Sequence, residues 1–190
     1  QQRRAVAEAE RQQKAVEASK AQLFATAGDP VIGNPKGDVT LVQFFDYRCG
    51  YCRSMVPGLR NLVGKDKGLR MVMKEFPVLG PDSVVAARAA LAAEKQGRFT
   101  DFHLALMGSK ELDEVAIKGV AGRLGLDVDR LVADMNSESV ERTLQANAQL
   151  AGELGITGTP SFVIGGKLIP GAVEIAQLES LIAAQRQTTN

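Results

Sequence analysis

Apolar and polar positions change their spacing several times along the chain, and each change marks an element. Residues 1 to about 27 are rich in Ala, Glu, Gln, Lys and Arg, with no Gly or Pro before Gly28. They predict one long helix. Alternating steps of three and four pick out Val6, Ala9, Gln13, Val16, Lys20, Leu23 and Ala27. That stripe is too thin to fold alone and calls for a partner helix, with self-association of copies as the expectation. Gly28-Asp29-Pro30 breaks the helix, and Gly33-Asn34-Pro35-Lys36-Gly37-Asp38 is a second turn-rich stretch, so the two read as a hinge. The run Val39 to Phe45 then predicts a buried strand and Arg53 to Val63 a helix. Leu69 to Phe76 predicts another strand, and Pro77 to Pro81 a loop, with Asp82 or Ser83 capping the next helix.

From about 83 to 153 the periodicity is helical throughout. The segments are Ser83 to Gln96, Phe99 to Met107, Asp113 to Leu124, Asp127 to Met135 and Ser137 to Leu154. Strands return at Ser161 to Ile164 and Lys167 to Ile169, which flank Gly165-Gly166 as a hairpin, and Ala172 to Gln185 predicts a last helix. This order predicts an α/β fold: a small sheet with helices on both faces and an all-helical insertion. The chain divides into an N-terminal oligomerisation helix (1–29), a catalytic domain (30–81 with 155–190) and the insertion (82–154).

Composition narrows the function. Among the 190 residues, 23 basic and 22 acidic side chains give a net charge of +1 without a basic block, which argues against nucleic acid as a partner. No apolar run approaches the roughly 20 residues that cross a bilayer. The sequence opens without an initiator Met or an apolar leader, which a processed form and a recombinant form cut at this point share. His103, the single histidine, reads as a surface or half-buried packing residue, and the five dispersed Met residues read as core fillers.

The two cysteines, Cys49 and Cys52, enclose Gly50-Tyr51 directly after the apolar strand. The first falls at a strand-to-helix turn, where unpaired N–H groups and the helix dipole favour a thiolate. The second lies one helical turn on and can close a disulfide with it. A closed zinc site needs about four ligands, and there is no second cysteine pair, so no metal site is expected. A structural bridge over so small a loop constrains little. Thiol–disulfide exchange is therefore the leading chemistry, and two soft thiolates holding Cu(I) is the non-catalytic alternative.

Three motifs sharpen this: Phe44-Phe45-Asp46-Tyr47-Arg48-Cys49-Gly50-Tyr51-Cys52-Arg53, Lys74-Glu75-Phe76-Pro77-Val78-Leu79-Gly80-Pro81-Asp82-Ser83, and Gly155-Ile156-Thr157-Gly158-Thr159-Pro160-Ser161-Phe162. In this order they resemble the DsbA-like branch of the thioredoxin superfamily, and within it the copper-sensitivity-suppressor C type, across roughly residues 30 to 185. The resemblance implies a thioredoxin fold in the periplasm. It implies Cys49 as attacking thiol, Cys52 as resolving thiol and Pro160 as a cis-proline, with Thr159 before it offering backbone groups to an extended client.

The Gly50-Tyr51 dipeptide and Thr159 resemble disulfide isomerases more than the oxidising members, whose dipeptide is Pro-His, and so imply a less oxidising couple. A DsbA-like oxidase is the alternative. The cofactor set is then the Cys49–Cys52 disulfide alone. The partners are misoxidised clients, a membrane thiol reductase of the DsbD/ScsB type and other copies of the chain, preferably as a trimer. Many relatives carry a buried carboxylate where this chain has Gln43, so Glu75 becomes the candidate proton relay, with Gln43 able to bond a water chain. The alternative for Glu75 is an exposed carboxylate paired with Lys74 or Arg70, and Asp46 is a weaker relay candidate.

Overall fold

A computed structural model describes residues 2–24 and 28–189. The chain runs α1 (Gln2–Ala18), α2 (Lys20–Phe24), β1 (Val31–Gly33), β2 (Val39–Phe45), α3 (Gly50–Lys65) and β3 (Leu69–Glu75). The insertion comes next as α4 (Pro81–Glu94), α5 (Phe99–Gly108), α6 (Glu114–Arg123), α7 (Val128–Met135) and α8 (Glu138–Glu153), before β4 (Ser161–Ile164), β5 (Lys167–Pro170) and α9 (Ile175–Thr189). The strands form one mixed sheet in the order β1-β3-β2-β4-β5. Among the described residues only β2 and β3 pair in parallel, with α3 as the crossover that a parallel pair requires.

Both central strands are covered on two faces, which explains why they read as nearly unbroken apolar runs. On one face Leu41, Phe45, Met71 and Met73 pack against α3, α5 and α9 through Leu59, Phe102, Leu106 and Leu178. On the other, Val42, Phe44, Val72 and Val163 meet Val16, Leu23, Leu150 and Leu154. The α/β architecture with its helical insertion is present as the pattern predicts, in the thioredoxin-like form that the resemblance implies. β1 is an addition that the pattern does not predict, since its three residues sit between two turn-rich stretches. Gly33 closes it at φ +86, and a Cβ there would lie 2.6 Å from the Leu69 carbonyl oxygen.

The N-terminal run differs from one uniform helix. A turn at Ser19 separates α1 from α2, although Ser19 N–H still bonds Ala15 C=O (3.0 Å) and Leu23 N–H bonds Ser19 C=O (2.9 Å). Its buried positions are Val16, Ser19 and Leu23, whereas Gln13 and Lys20 of the predicted stripe are exposed. Ala27 lies outside the described residues. The lower part of the stripe therefore finds its partner in the sheet of its own chain. Two cations from β3 fasten it there: Lys74 Nζ donates to the Gln22 carbonyl (2.8 Å) and Arg70 Nη2 to that of Phe24 (2.9 Å). Lys74 is buried and also pairs with Asp29, whose other oxygen accepts from Asn147 Nδ2 (3.0 Å).

Leu23→Ala removes a fully buried side chain from this contact. It should cost about 2–4 kcal/mol, read as a lowered urea midpoint, and should open the segment before Gly28 to protease ahead of global unfolding. Unchanged protease resistance there would contradict the docking.

Candidate active site

β2 delivers its C-terminal end to the turn Asp46-Tyr47-Arg48, and Cys49 then serves as N-cap of α3 in extended conformation (φ −72, ψ 116). The turn is closed by Cys49 N–H to Asp46 C=O (3.1 Å) and by Arg53, whose Nε donates to Tyr47 C=O (2.6 Å) and Nη1 to Ser109 C=O (2.6 Å). Cys49 Sγ accepts from the Cys52 N–H (3.4 Å), at the helix end that favours negative charge. Its thiol donates to the Thr159 carbonyl (3.3 Å) across a separation of 110 residues. The Thr159–Pro160 bond is cis. Both cysteines are free thiols. Burial pushes the Cys52 thiol up to about 12, with the Asp46 backbone opposing and the neighbouring Cys49 sulfur adding to the rise. Tyr51, between them, is 70% exposed and Gly50 is open, so the dipeptide faces solvent.

The Asp46 carboxylate is fully committed to structure. It accepts from Arg48 N–H (2.8 Å), Val78 N–H (2.8 Å), Leu79 N–H (3.1 Å) and Ser83 Oγ (2.7 Å). It thereby holds the Pro77–Pro81 loop beside the dithiol turn, with Val78 and Leu79 each nearly half exposed.

Register decides where Gln43 and Glu75 go. Gln43 is opposite Met73 and Phe45 is opposite Glu75 in the parallel pair, so these side chains share the face under α3 and α5. Glu75 is only 1% exposed, so the surface pairing with Lys74 or Arg70 is overturned: alternation along β3 sends both cations to the opposite face. Its partner is Tyr47, whose hydroxyl lies 3.1 Å from Glu75 Oε1 and 2.9 Å from His103 Nδ1. Glu75 Oε2 is buried without a hydrogen-bond partner among the described residues. Burial holds this carboxyl well above the usual range; the Tyr47 bond lowers it and the Asp46 and Asp29 charges raise it.

His103 is likewise buried rather than superficial. Its ring stacks on Phe99 (5.3 Å, 24°) and meets Phe45 edge-on (5.0 Å, 88°). Burial lowers it to about 3, so it is neutral at physiological pH. A cavity of about 340 Å³ lies beneath α3, and Cys52, Gln43, His103 and Met73 all line it. Tyr47 and His103 are the site residues that spacing alone did not single out. The available signal was Phe99, Phe102, His103 and Leu106 at helical spacing, which put the histidine on the buried face of α5.

Residues 40–183 match the family model described as DSBA-like thioredoxin domain. Among solved structures, a thioredoxin-like oxidoreductase from Silicibacter pomeroyi is 43% identical, with a TM-score of 0.85 over 88% of this chain and 98% of that one. A linker-deletion mutant of ScsC from Proteus mirabilis is 30% identical, with a TM-score of 0.87 over 97% and 86%. A periplasmic thioredoxin-like protein from Salmonella enterica serovar Typhimurium is 32% identical, with a TM-score of 0.78 over 87% and 94%. Curated relatives include a Na(+)/H(+) antiporter NhaA from Herminiimonas arsenicoxydans, 31% identical over 85% of this chain. The chain spans only about a quarter of that relative's length (26%).

Glu75 has a sign-definite effect on stability. Its folded value is raised, so between its unfolded and folded values the unfolded chain binds fewer protons and stability falls as pH rises. Glu75→Gln keeps the shape and removes the titration. The variant should be more stable than wild type at about pH 7, and the gap should close toward about pH 4, near the unfolded carboxyl value. Urea midpoints at the two pH values test this; a gap that widens on acidification contradicts the buried carboxyl with its raised value.

Proposed function

The chain belongs to the DSBA-like thioredoxin domain family, and from that premise we propose that it is a periplasmic thiol–disulfide oxidoreductase working as a protein disulfide isomerase or reductase on misoxidised clients. The observation that carries the proposal is the pairing of Cys49 at a helix N-terminus, against the Thr159 carbonyl, with a buried Cys52 that retains its proton. The Cys49 thiolate attacks a client disulfide, forms a mixed disulfide and expels a client thiolate. Thr159 offers main-chain groups to the extended client segment beside it. In isomerisation a second client thiolate displaces Cys49, and the repaired pairing leaves without net redox change. In reduction Cys52 gives up its proton and attacks Cys49 Sγ, and the client leaves as thiolate. The Cys49–Cys52 disulfide then remains for a membrane thiol reductase of the DsbD/ScsB type to reduce. Because burial opposes ionisation of Cys52, a client thiol has time to resolve first, which favours the isomerase outcome over oxidase work.

The oligomer belongs to the same proposal. Val16 and Leu23 are taken up by the chain's own sheet, but Val6 is 56% exposed and Ala9 is exposed on the outer part of α1. That outer part meets its counterparts in other copies, preferably as a trimer, and several dithiols then surround one client and raise its effective concentration. Similarity to the periplasmic Salmonella protein supports the compartment, and the Gly50-Tyr51 dipeptide with Thr159, which resembles the disulfide isomerases, supports the isomerase reading.

Refolding of a scrambled-disulfide substrate in a weakly reducing buffer tests both parts. The full chain should restore native pairing. Val6→Asp should abolish self-association by light scattering and cut isomerisation at least several-fold, while reduction of a small disulfide is kept. Rapid oxidation of reduced substrate by a monomeric wild type, without unscrambling, would instead establish an oxidase.

A further inference from the structure

The cavity beneath α3 has a lining that exchange at sulfur does not account for. Its walls are hydrocarbon and thioether, with Val56 and Leu59 from α3 facing Met71 and Met73 of β3 and Met107 of α5. Two polar side chains from different elements enter this lining, Gln43 of β2 and His103 of α5, only 2% and 5% exposed. The Tyr47 hydroxyl lies 2.9 Å from His103 Nδ1 and leaves Nε2 for the cavity. Among the described residues neither Nε2 nor the Gln43 amide has a hydrogen-bond partner. A mostly apolar wall with a few polar groups to fix orientation is the pattern of a small-molecule site. The volume, about 340 Å³, lies at the lower end of the roughly 300–1,000 Å³ of such sites and suits a single ring. We propose that this cavity binds a small uncharged phenol, its ring between α3 and β3 and its hydroxyl on Gln43 and His103.

The lining selects that chemistry. Burial keeps His103 neutral and Gln43 carries no charge, so the two buried polar groups give an ion no counter-charge. The charged residues of the lining, Arg60 of α3 and Asp101 of α5, are exposed at its rim, and Asp101 pairs with Arg98 (3.2 Å). An ionic ligand drawn inside would lose its hydration uncompensated. Three thioethers in one wall favour an aromatic ring, through sulfur contacts at its edge. The hydroxyl follows from the polar groups. The Gln43 amide offers both a donor and an acceptor, and a hydroxyl serves Nε2 whichever ring nitrogen carries the proton, because it donates and accepts. A shallow depression lined by Val56, Arg60, Gly64 and Leu104 continues the cavity outward and gives the ligand its entry. Cys52 lines the same cavity, so the bound ring lies against the resolving thiol and meets an S–H that the disulfide lacks. Binding therefore favours the dithiol, and by linkage the disulfide weakens the ligand by the same factor. This coupling rests on the exchange proposed above between Cys49 and Cys52.

Calorimetric titration of the reduced protein with p-cresol tests the site. The controls are p-xylene, which has methyl in place of the hydroxyl, and 4-methylbenzoate, which is charged. p-Cresol should bind once per chain and about tenfold tighter than p-xylene, the worth of roughly one buried hydrogen bond, and 4-methylbenzoate should not bind. Gln43→Leu should lower the p-cresol affinity toward that of p-xylene and leave p-xylene unchanged, a split that loss of packing would not give. Val56→Phe should fill the cavity and remove both, in a chain whose urea midpoint shows it folded. Equal binding of p-cresol and p-xylene overturns recognition of the hydroxyl. Preference for 4-methylbenzoate moves the site to Arg60 at the surface and overturns it, as does p-cresol binding unaltered in both variants. No binding at millimolar p-cresol leaves the cavity to water and overturns the proposal outright. In a glutathione redox buffer p-cresol should raise the dithiol fraction a few-fold, by the ratio of its affinities for the two forms; equal affinities overturn the coupling. If Cys49 and Cys52 do not interconvert with glutathione at all, the functional reading falls, while the titrations still decide the site.

Discussion

Lys74 and Glu75 are neighbours in one strand of a sheet that is covered on both sides, so each must find a buried partner on a different face. A buried charge or polar group without a partner costs several kcal/mol. That constraint organises the molecule. On one face the Lys74 ammonium collects Gln22, Asp29 and, through Asp29, Asn147, which ties the N-terminal segment and α8 to the sheet. On the other, Glu75 collects Tyr47 and through it His103, which ties the dithiol turn to the insertion. The insertion therefore packs into the surroundings of the dithiol and is not merely appended to the sheet.

The dithiol gains its asymmetry from two ordinary features of a strand-to-helix turn. Cys49 is the cap, where the turn after the strand hands over to an open helix end; Cys52 is one turn in, beneath the helix and out of water. Cys49 keeps 7% of its surface in water beside the Thr159 carbonyl, whereas Cys52 is fully covered. The Asp46 carboxylate, with four donors converging on it, keeps the turn and the Pro77–Pro81 loop in fixed relation, so that Tyr51, Val78 and Leu79 offer apolar surface around the exchange centre. Thr159 reaches the same point from the other end of the chain, carried there by β4 beside β2.

The N-terminal helical segment has two roles along its length. Near its C-terminal end, Val16 and Leu23 belong to the core of the catalytic domain; toward its start, Val6 and Ala9 stay exposed to solvent. The buried Lys74 ammonium holds the end of this segment to β3 through the Gln22 carbonyl, one residue from Glu75.

Much of this was legible in the sequence. Period and breaker residues determine the order of elements, because burial of one face or both writes itself directly into the alternation of apolar side chains. The helix-capping position of Cys49 and the one-turn spacing to Cys52 are local facts of the same kind. The meeting of Cys49 with Thr159 was legible only through family resemblance. β1 escaped because three residues between turns carry no period. Helical spacing carried a signal for the buried side of His103, but the partner it shares with Glu75 could not be read: Glu75 and His103 lie 28 and 56 residues from Tyr47, and separate elements bring them to it. Which group a buried polar side chain meets is a property of what packs over it, and for these residues only the tertiary structure decided that.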